Sequence, residues 1–150
     1  MEELREKLIN AMTPSCRAIY DSVISDERAQ ATVARDGPLP DWSGGEIDIA
    51  SLSIDVENEY VRSSKDDGKW HGLLIKIDGM CNSQLIVTDA YSISEKMWWE
   101  GQMDGISREV FKSGKMSKNY YTNGQHLREE CFAPDGSEIE FEAFGNLPAV

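Results

Sequence analysis

The sequence is short of basic residues. Fifteen Lys and Arg stand against 27 Asp and Glu, which gives a formal net charge of −12 at pH 7. Such a surface repels nucleic-acid phosphate and anionic lipid, and the few basic residues are not interleaved with aromatic ones. We therefore expect no direct nucleic-acid binding. The acidic excess is typical either of a protein that binds a cationic partner or of one kept soluble by its charge.

Long apolar runs and targeting signals are also missing. No apolar run reaches the roughly 18 residues that a membrane-spanning helix needs. The first residues, MEELREKLIN, are acidic and amphipathic and lack the basic and apolar regions of a signal peptide. The sequence thus predicts a cytoplasmic protein that does not interact with membranes.

Cysteine is scarce, with an odd number of residues at wide spacing: Cys16, Cys81 and Cys131. This pattern is typical of reduced, buried thiols in a cytosolic protein. A metal site shared with His71 and His126 is the alternative, but no CxxC or HxxxH pair supports it. We expect no metal and no cofactor.

Signatures of catalysis are absent. Gly44-Gly45 is not followed by the Lys-Ser/Thr of a phosphate-binding loop, and neither GxSxG nor HExxH occurs. A Cys–His dyad would have to form without any supporting motif. The sequence therefore predicts that the protein is not an enzyme.

The N-terminal part has helical periodicity. Apolar residues recur at helical spacing within residues 2–12, and Thr13-Pro14 is a typical N-cap and first residue of a second helix that ends near Ser25-Asp26. The alternatives are a single kinked helix in place of the two, or a strand in the second half of the second segment. Residues 27–35 alternate weakly and predict a short strand, with a continued helix as the alternative.

The segment Lys69–Ile93 is the most apolar part of the chain and predicts two strands joined at Asp78-Gly79. Residues 36–45 predict a loop that contains Trp42. Residues 47–61 predict a strand whose register changes at Ala50-Ser51, through a bulge or a break. Residues 62–68 predict a turn.

Beyond this hairpin, Ser94–Gly101 predicts a short helix that contains the adjacent Trp98 and Trp99. From Arg108 onward, Gly-containing turns at 112–115, 122–125 and 134–137 predict a β-meander with strands at 116–121, 125–132 and 137–144. Four basic residues there predict a solvated sheet edge: Arg108, Lys112, Lys115 and Lys118. The whole chain, residues 1–150, thus predicts a single α+β domain in which one or two N-terminal helices pack on a mostly antiparallel β-sheet with a C-terminal β-meander.

Two sets of carboxylates stand out because they alternate with apolar residues and would share an outward strand face. The candidate partner-binding residues are these two acidic ladders and the Trp pair, which would act as an anchor: Asp48, Asp55, Glu57, Glu59, Glu138, Glu140, Glu142, Trp98 and Trp99. The competing interpretation is edge protection and solubility.

Three features together resemble the small, acidic immunity proteins of bacterial polymorphic-toxin and contact-dependent inhibition systems. They are the amphipathic N-terminal helix, the stretch WHGLLIKIDG (70–79) continuing into LIVTDAY (85–91), and the acidic FAPDGSEIEFEAF (132–144). The Trp–strand–Asp-Gly pattern of Trp70–Gly79 is similar to the YezG-like group, and the resemblance covers about half the chain. It implies a non-enzymatic protein that binds and blocks a toxin effector domain, and an acidic surface would suit a basic nuclease toxin.

Three alternatives remain open from the sequence. A DNA-mimic or anti-restriction protein would use the same carboxylates. A small-ligand-binding domain or enzyme would use a pocket near Trp42, Trp70 and His71. A structural or adaptor subunit would have a large apolar dimer interface.

Overall fold

The computed structural model describes residues 1–40, 45–79 and 90–145, and it has the predicted α+β architecture. The helices are α1 (Glu2–Ala11), α2 (Pro14–Ile24), α3 (Glu27–Asp36) and α4 (Phe141–Gly145), with a 3-10 turn at Ile49–Ser51. The strands are β1 (Ser53–Val56), β2 (Tyr60–Ser64), β3 (Trp70–Asp78), β4 (Ser92–Trp99), β5 (Gln102–Met103), β6 (Gly105–Phe111), β7 (Met116–Thr122), β8 (Gln125–Phe132) and β9 (Glu138–Ile139).

These strands form one antiparallel sheet. Within the described ranges its order is β1-β2-β3-β4-β6-β7-β8-β9, and the short β5 pairs with the end of β4. Because each strand after β5 pairs with the next one along the chain, the predicted C-terminal meander is confirmed. None of the helices in these ranges is long and apolar enough to cross a membrane.

Capping side chains set the boundaries of the N-terminal helices. Thr13 Oγ1 accepts a hydrogen bond from Cys16 N at 3.2 Å, and Pro14 follows it, as predicted. Asp26 Oδ1 accepts from Arg28 N at 2.8 Å and begins a third helix, so the strand predicted for residues 27–35 is wrong and its helical alternative is correct. The reason is burial, because Ala29 and Thr32 are buried three residues apart, which is helical spacing.

Residues 47–61, which were predicted as one strand with a change of register, form a 3-10 turn and parts of two strands. The 3-10 turn at 49–51 replaces the expected bulge, and β1 and β2 are separate strands joined by a turn at residues 57–59. The predicted turn at 62–68 begins late, because β2 continues to Ser64.

The first strand of the predicted hairpin is confirmed as β3. Most of the second predicted strand, Trp42 and Cys81 lie outside the described residues. On the side away from β2, β3 pairs with β4. Because β4 covers Ser92–Trp99, the helix predicted for Ser94–Gly101 is wrong. A strand turns adjacent side chains to opposite faces, which lets Trp98 and Trp99 each pack on a different neighbour.

The two faces of the sheet differ. Leu73, Ile75 and Ile77 of β3 face α1 and α2 and form the core with Leu4 and Leu8. The opposite face is mostly polar, and α4 packs at its far end, where the Phe144 ring lies 5.9 Å from the Phe111 ring. The strand predicted for 137–144 therefore ends after two residues, and a helical turn places Phe144 on the sheet.

Candidate functional site

A groove with acidic walls lies on the polar face at the β8–β9 end of the sheet. Its volume is about 730 Å³, and its residues come from β8, β9 and α4. Glu129, Glu138 and Glu140 supply the carboxylates, and the remaining lining is Cys131, Ile139, Phe141 and Ala143. We call this lining the acidic groove.

Local pairing positions the acidic groove. Cys131 lies opposite Ile139 in the β8–β9 ladder, and the turn between the strands is closed by the hydrogen bond from Ala133 N to Ser137 O at 2.9 Å. The chain then enters α4, which leaves the Phe141 side chain 63% exposed beside the carboxylates. A large exposed aromatic ring next to negative charge is a typical feature of a docking surface.

The three C-terminal glutamates do not form the predicted acidic ladder. Glu138 lies in β9, Glu140 follows it and Glu142 lies in α4, so the three do not share one strand face. Glu138 and Glu140 nevertheless both line the groove, whereas Glu142 is exposed outside its lining.

The N-terminal acidic ladder is also dispersed. Asp48 precedes the 3-10 turn, and Glu57 and Glu59 are exposed in the β1–β2 turn. Asp55 is in β1 and forms an ion pair of 3.1 Å with Arg62 on β2. The shared strand face predicted for these four residues is therefore wrong.

Both Trp candidates are half-buried packing residues. The Trp98 ring lies edge-on to Trp70 with 4.6 Å between centroids, and Trp99 lies 4.5 Å from the His71 ring. Trp98 Nε1 is buried, and none of the residues that the structure describes accepts a hydrogen bond from it. Neither residue belongs to the lining of the acidic groove.

His71 has a structural role. Its Nδ1 accepts a hydrogen bond from Glu100 N at 3.0 Å, which holds the β4–β5 turn where Glu100 has a φ of 48°. Burial, followed by the nearby charge of Lys65, lowers the pKa of His71, which favours the neutral ring that can accept this bond. His71 and Trp70 contact different Trp rings, and the third residue of the predicted pocket, Trp42, lies outside the described residues.

A row of charged residues crosses the helix-facing side of the sheet, which the sequence did not predict. Glu95, Arg108 and Lys118 lie directly opposite one another on β4, β6 and β7. Arg5 of α1 and Asp36 of α3 reach down to them, and we call these five residues the charge row.

The contacts in the charge row are short. Arg5 Nε and Nη2 donate to Glu95 Oε2 at 2.8 and 2.6 Å. Asp36 accepts from Arg108 Nη1 at 2.8 Å and from Lys118 Nζ at 2.9 Å. Burial would raise the pKa of Asp36, but the hydrogen bonds from Lys118 and Arg108 outweigh it and hold that pKa below its usual value.

The solvated basic edge predicted for the meander is therefore wrong. Arg108 and Lys115 are buried, and Lys115 Nζ lies over the Phe111 ring, 4.5 Å from its centroid. Lys112 Nζ donates to the Ser22 carbonyl at 2.7 Å. Each of the four basic residues contacts a partner inside the molecule. The protein surface is therefore more strongly acidic than the net charge alone implies.

A cavity of about 510 Å³ lies beside the charge row, between α2, α3 and the sheet. Most of its wall is apolar, and its polar end contains Arg5, Glu95, Arg108 and Tyr20. Burial and then the charge of Glu95 raise the pKa of Tyr20 to about 12, so the hydroxyl remains a hydrogen-bond donor at neutral pH.

The described residues contain no group of three or more His, Cys, Asp or Glu that could hold a metal ion. Cys16 and Cys131 are free and buried, and burial raises the pKa of both thiols. A scan against models of protein families gave no match, and searches of curated proteins and of solved structures gave none either.

Proposed function

We propose that this chain is an immunity or inhibitor protein that binds and neutralises a basic bacterial toxin domain through the acidic groove. The observation that carries the proposal is the composition of that groove. Three carboxylates line the groove together with apolar side chains, among which Phe141 is largely exposed. An apolar anchor within a charged rim is the usual arrangement of a protein-binding surface.

The distribution of charge supports a cationic partner. The cations of the charge row neutralise Asp36 and Glu95 inside the molecule, whereas Glu138 and Glu140 are exposed. A negative surface accelerates encounter with a positive one and fixes its orientation. A nuclease toxin fits this requirement, because its substrate-binding cleft must be basic.

The first experiment measures binding to the effector domain of the toxin encoded immediately upstream of the gene for this chain. We expect a stable complex and protection of cells that express the effector. A metabolic operon at that position, or an upstream effector that does not bind, would overturn the proposal. Binding to a DNA-processing enzyme that duplex DNA competes away would instead support the DNA-mimic alternative.

The second experiment locates the surface. Glu138→Lys combined with Glu140→Lys should lower the association rate about tenfold or more at low salt, and the loss should shrink as salt rises. The matched control is Glu6→Lys with Glu46→Lys, which changes the net charge equally at exposed sites outside the groove. Equal losses for the two double variants would mean that net charge, and not the groove, governs binding.

A further inference from the structure

The cavity beside the charge row has the features of a ligand site. Its volume of about 510 Å³ lies within the range of small-molecule sites in proteins. Its walls are apolar side chains from α2, α3, β4, β6 and the segment after α3, and they include Val23, Val33, Leu39, Ile93 and Val110. Such walls favour a ligand with an apolar body.

The polar end of this cavity has an unused donor. Arg108 is only 5% exposed, and its Nη1 donates to Asp36 and to the Gly37 carbonyl, both at 2.8 Å. Its Nη2 lies 3.9 Å from Glu95 Oε1, which is too long for a hydrogen bond. No hydrogen bond to Nη2 is present among residues 1–40, 45–79 and 90–145, and because Arg108 lines the cavity this N–H group can donate to a ligand there.

The charges at this end favour an anion. The charge row has three cations, Arg5, Arg108 and Lys118, against the two carboxylates of Asp36 and Glu95. Glu95 is already neutralised by two hydrogen bonds from Arg5. Glu2 also contacts Arg5, but its side chain is 73% exposed, so solvent screens its charge.

Tyr20 provides a second donor. Its side chain is buried and lines the same cavity, and its hydroxyl stays protonated at neutral pH because its pKa is raised to about 12. The Tyr20 hydroxyl and the Arg108 guanidinium both line this largely apolar cavity, and both can donate to a carboxylate. Charge-assisted hydrogen bonds are about twice as strong as neutral ones.

We propose that this cavity binds an amphipathic monocarboxylate, with its carboxylate at Arg108 Nη2 and the Tyr20 hydroxyl and its apolar body between α2, α3 and the sheet. This site is separate from the acidic groove, which lies on the opposite face. Its failure would therefore leave the toxin-binding proposal intact, and the reverse also holds.

The test uses dodecanoate as the probe, below its micellar concentration, in isothermal titration calorimetry with the full chain. We expect saturable binding of one dodecanoate per chain. Dodecanol, which has the same apolar body without the charge, should bind at least about tenfold more weakly. Absence of saturable dodecanoate binding, or equal affinity for the two probes, would overturn the proposal.

Two substitutions on α3 locate the site without removing a buried charge. Ala34 is exposed and lines the cavity, whereas Ala31 is exposed and does not. Ala34→Trp should weaken dodecanoate binding about tenfold or more by filling the cavity, and Ala31→Trp should leave it unchanged. Equal dodecanoate affinity in the two folded variants, checked by their thermal unfolding, would place the binding elsewhere and overturn the proposal.

Discussion

At the residue scale, Gly72 shows how one position fixes the packing of α1 on the sheet. It lies in β3 with a φ of +101°, next to the irregular pairing of β2 between Arg62 and Ser64. Ser63 Oγ fills the space beside it, donating to the His71 carbonyl at 2.6 Å and accepting from Leu73 N at 3.0 Å. A Cβ at Gly72 would collide with this hydroxyl and lie 3.0 Å from Leu4 Cδ2.

We therefore expect Gly72→Ala to destabilise the protein strongly. The matched control is Gly68→Ala, because Gly68 has a similar φ of +83° but its added Cβ would meet nothing within 4 Å. Both variants strain the backbone by about 1–2 kcal/mol, and only Gly72→Ala adds a further 1–3 kcal/mol of overpacking. Urea unfolding measures both, and equal losses would mean that the collision is relieved by small shifts.

At the element scale, local signals predicted the helices and turns that carry their own caps. Thr13-Pro14 marked the start of α2, and Gly114, Gly124 and Gly136 all have positive φ in the turns of the meander. These elements are determined by residues close in sequence, so their patterns are visible without the fold.

The elements that were predicted wrongly depend on distant partners. Thr32 of α3 donates to the Gly114 carbonyl at 2.6 Å, a contact between residues 82 apart. Strand β4 contains good helix formers, but it is held between β3 and β6 by ladders on both sides. Tertiary pairing overrides local preference in both cases.

The charge row has a signal in the sequence that the net charge does not show. Each of its three strands places one charged residue between two less polar residues of the same face: Ile93-Glu95-Met97, Ile106-Arg108-Val110 and Met116-Lys118-Tyr120. Three such interruptions in neighbouring strands indicate buried ion pairs. The identity of the helical partners, Arg5 and Asp36, depends on packing between elements and could not be predicted.

Asp36→Asn tests the charge row. It should lower the free energy of unfolding by about 3 kcal/mol at neutral pH, because it removes the carboxylate that Arg108 and Lys118 share. Since the pKa of Asp36 is lower in the folded protein, its stabilisation is fully present above the unfolded pKa of about 3.9. It is lost as the pH falls through the lower folded value.

The measurement is urea unfolding of both proteins from about pH 7 down to about pH 2, and the difference between them should disappear in acid. Asp21→Asn is the control, because Asp21 pairs with Arg17 at an exposed helical site and should contribute less than about 0.5 kcal/mol. A difference between Asp36→Asn and the parent that persists at the lowest pH would mean that packing, and not charge, is responsible.

At the scale of the whole molecule, the charges are sorted. Four basic residues of the meander, Arg108, Lys112, Lys115 and Lys118, make their contacts inside the molecule, whereas most of the described carboxylates stay at the surface. The acidic excess was visible in the composition, but the place where it meets an exposed apolar side chain was not. That place depends on β9 stopping after two residues so that α4 can bring Phe144 onto the sheet, which alternation in Glu138–Phe144 does not reveal.

This sorting predicts how salt affects stability. The repulsion among exposed carboxylates acts over distances that salt screens, whereas the ion pairs of the charge row are in contact and largely buried. The free energy of unfolding should therefore rise when NaCl is raised from about 0.01 M to about 0.15 M, which shortens the Debye length from about 30 Å to about 8 Å. Urea titrations at the two salt concentrations measure this change.

Two neutralising double variants bracket the salt effect. Glu57→Gln with Glu59→Gln removes two exposed negative charges from the β1–β2 turn, so the rise in stability with salt should be smaller. Lys7→Gln with Lys76→Gln removes two exposed positive charges and should make the rise larger. Stability that falls with salt in the unmodified chain would show that ion pairing outweighs self-repulsion. The same salt dependence in all three proteins would show that repulsion among the surface carboxylates does not govern stability. A basic partner would relieve the repulsion among the exposed carboxylates. The sign of this salt dependence therefore bears directly on whether a cationic protein can stabilise the chain by binding it.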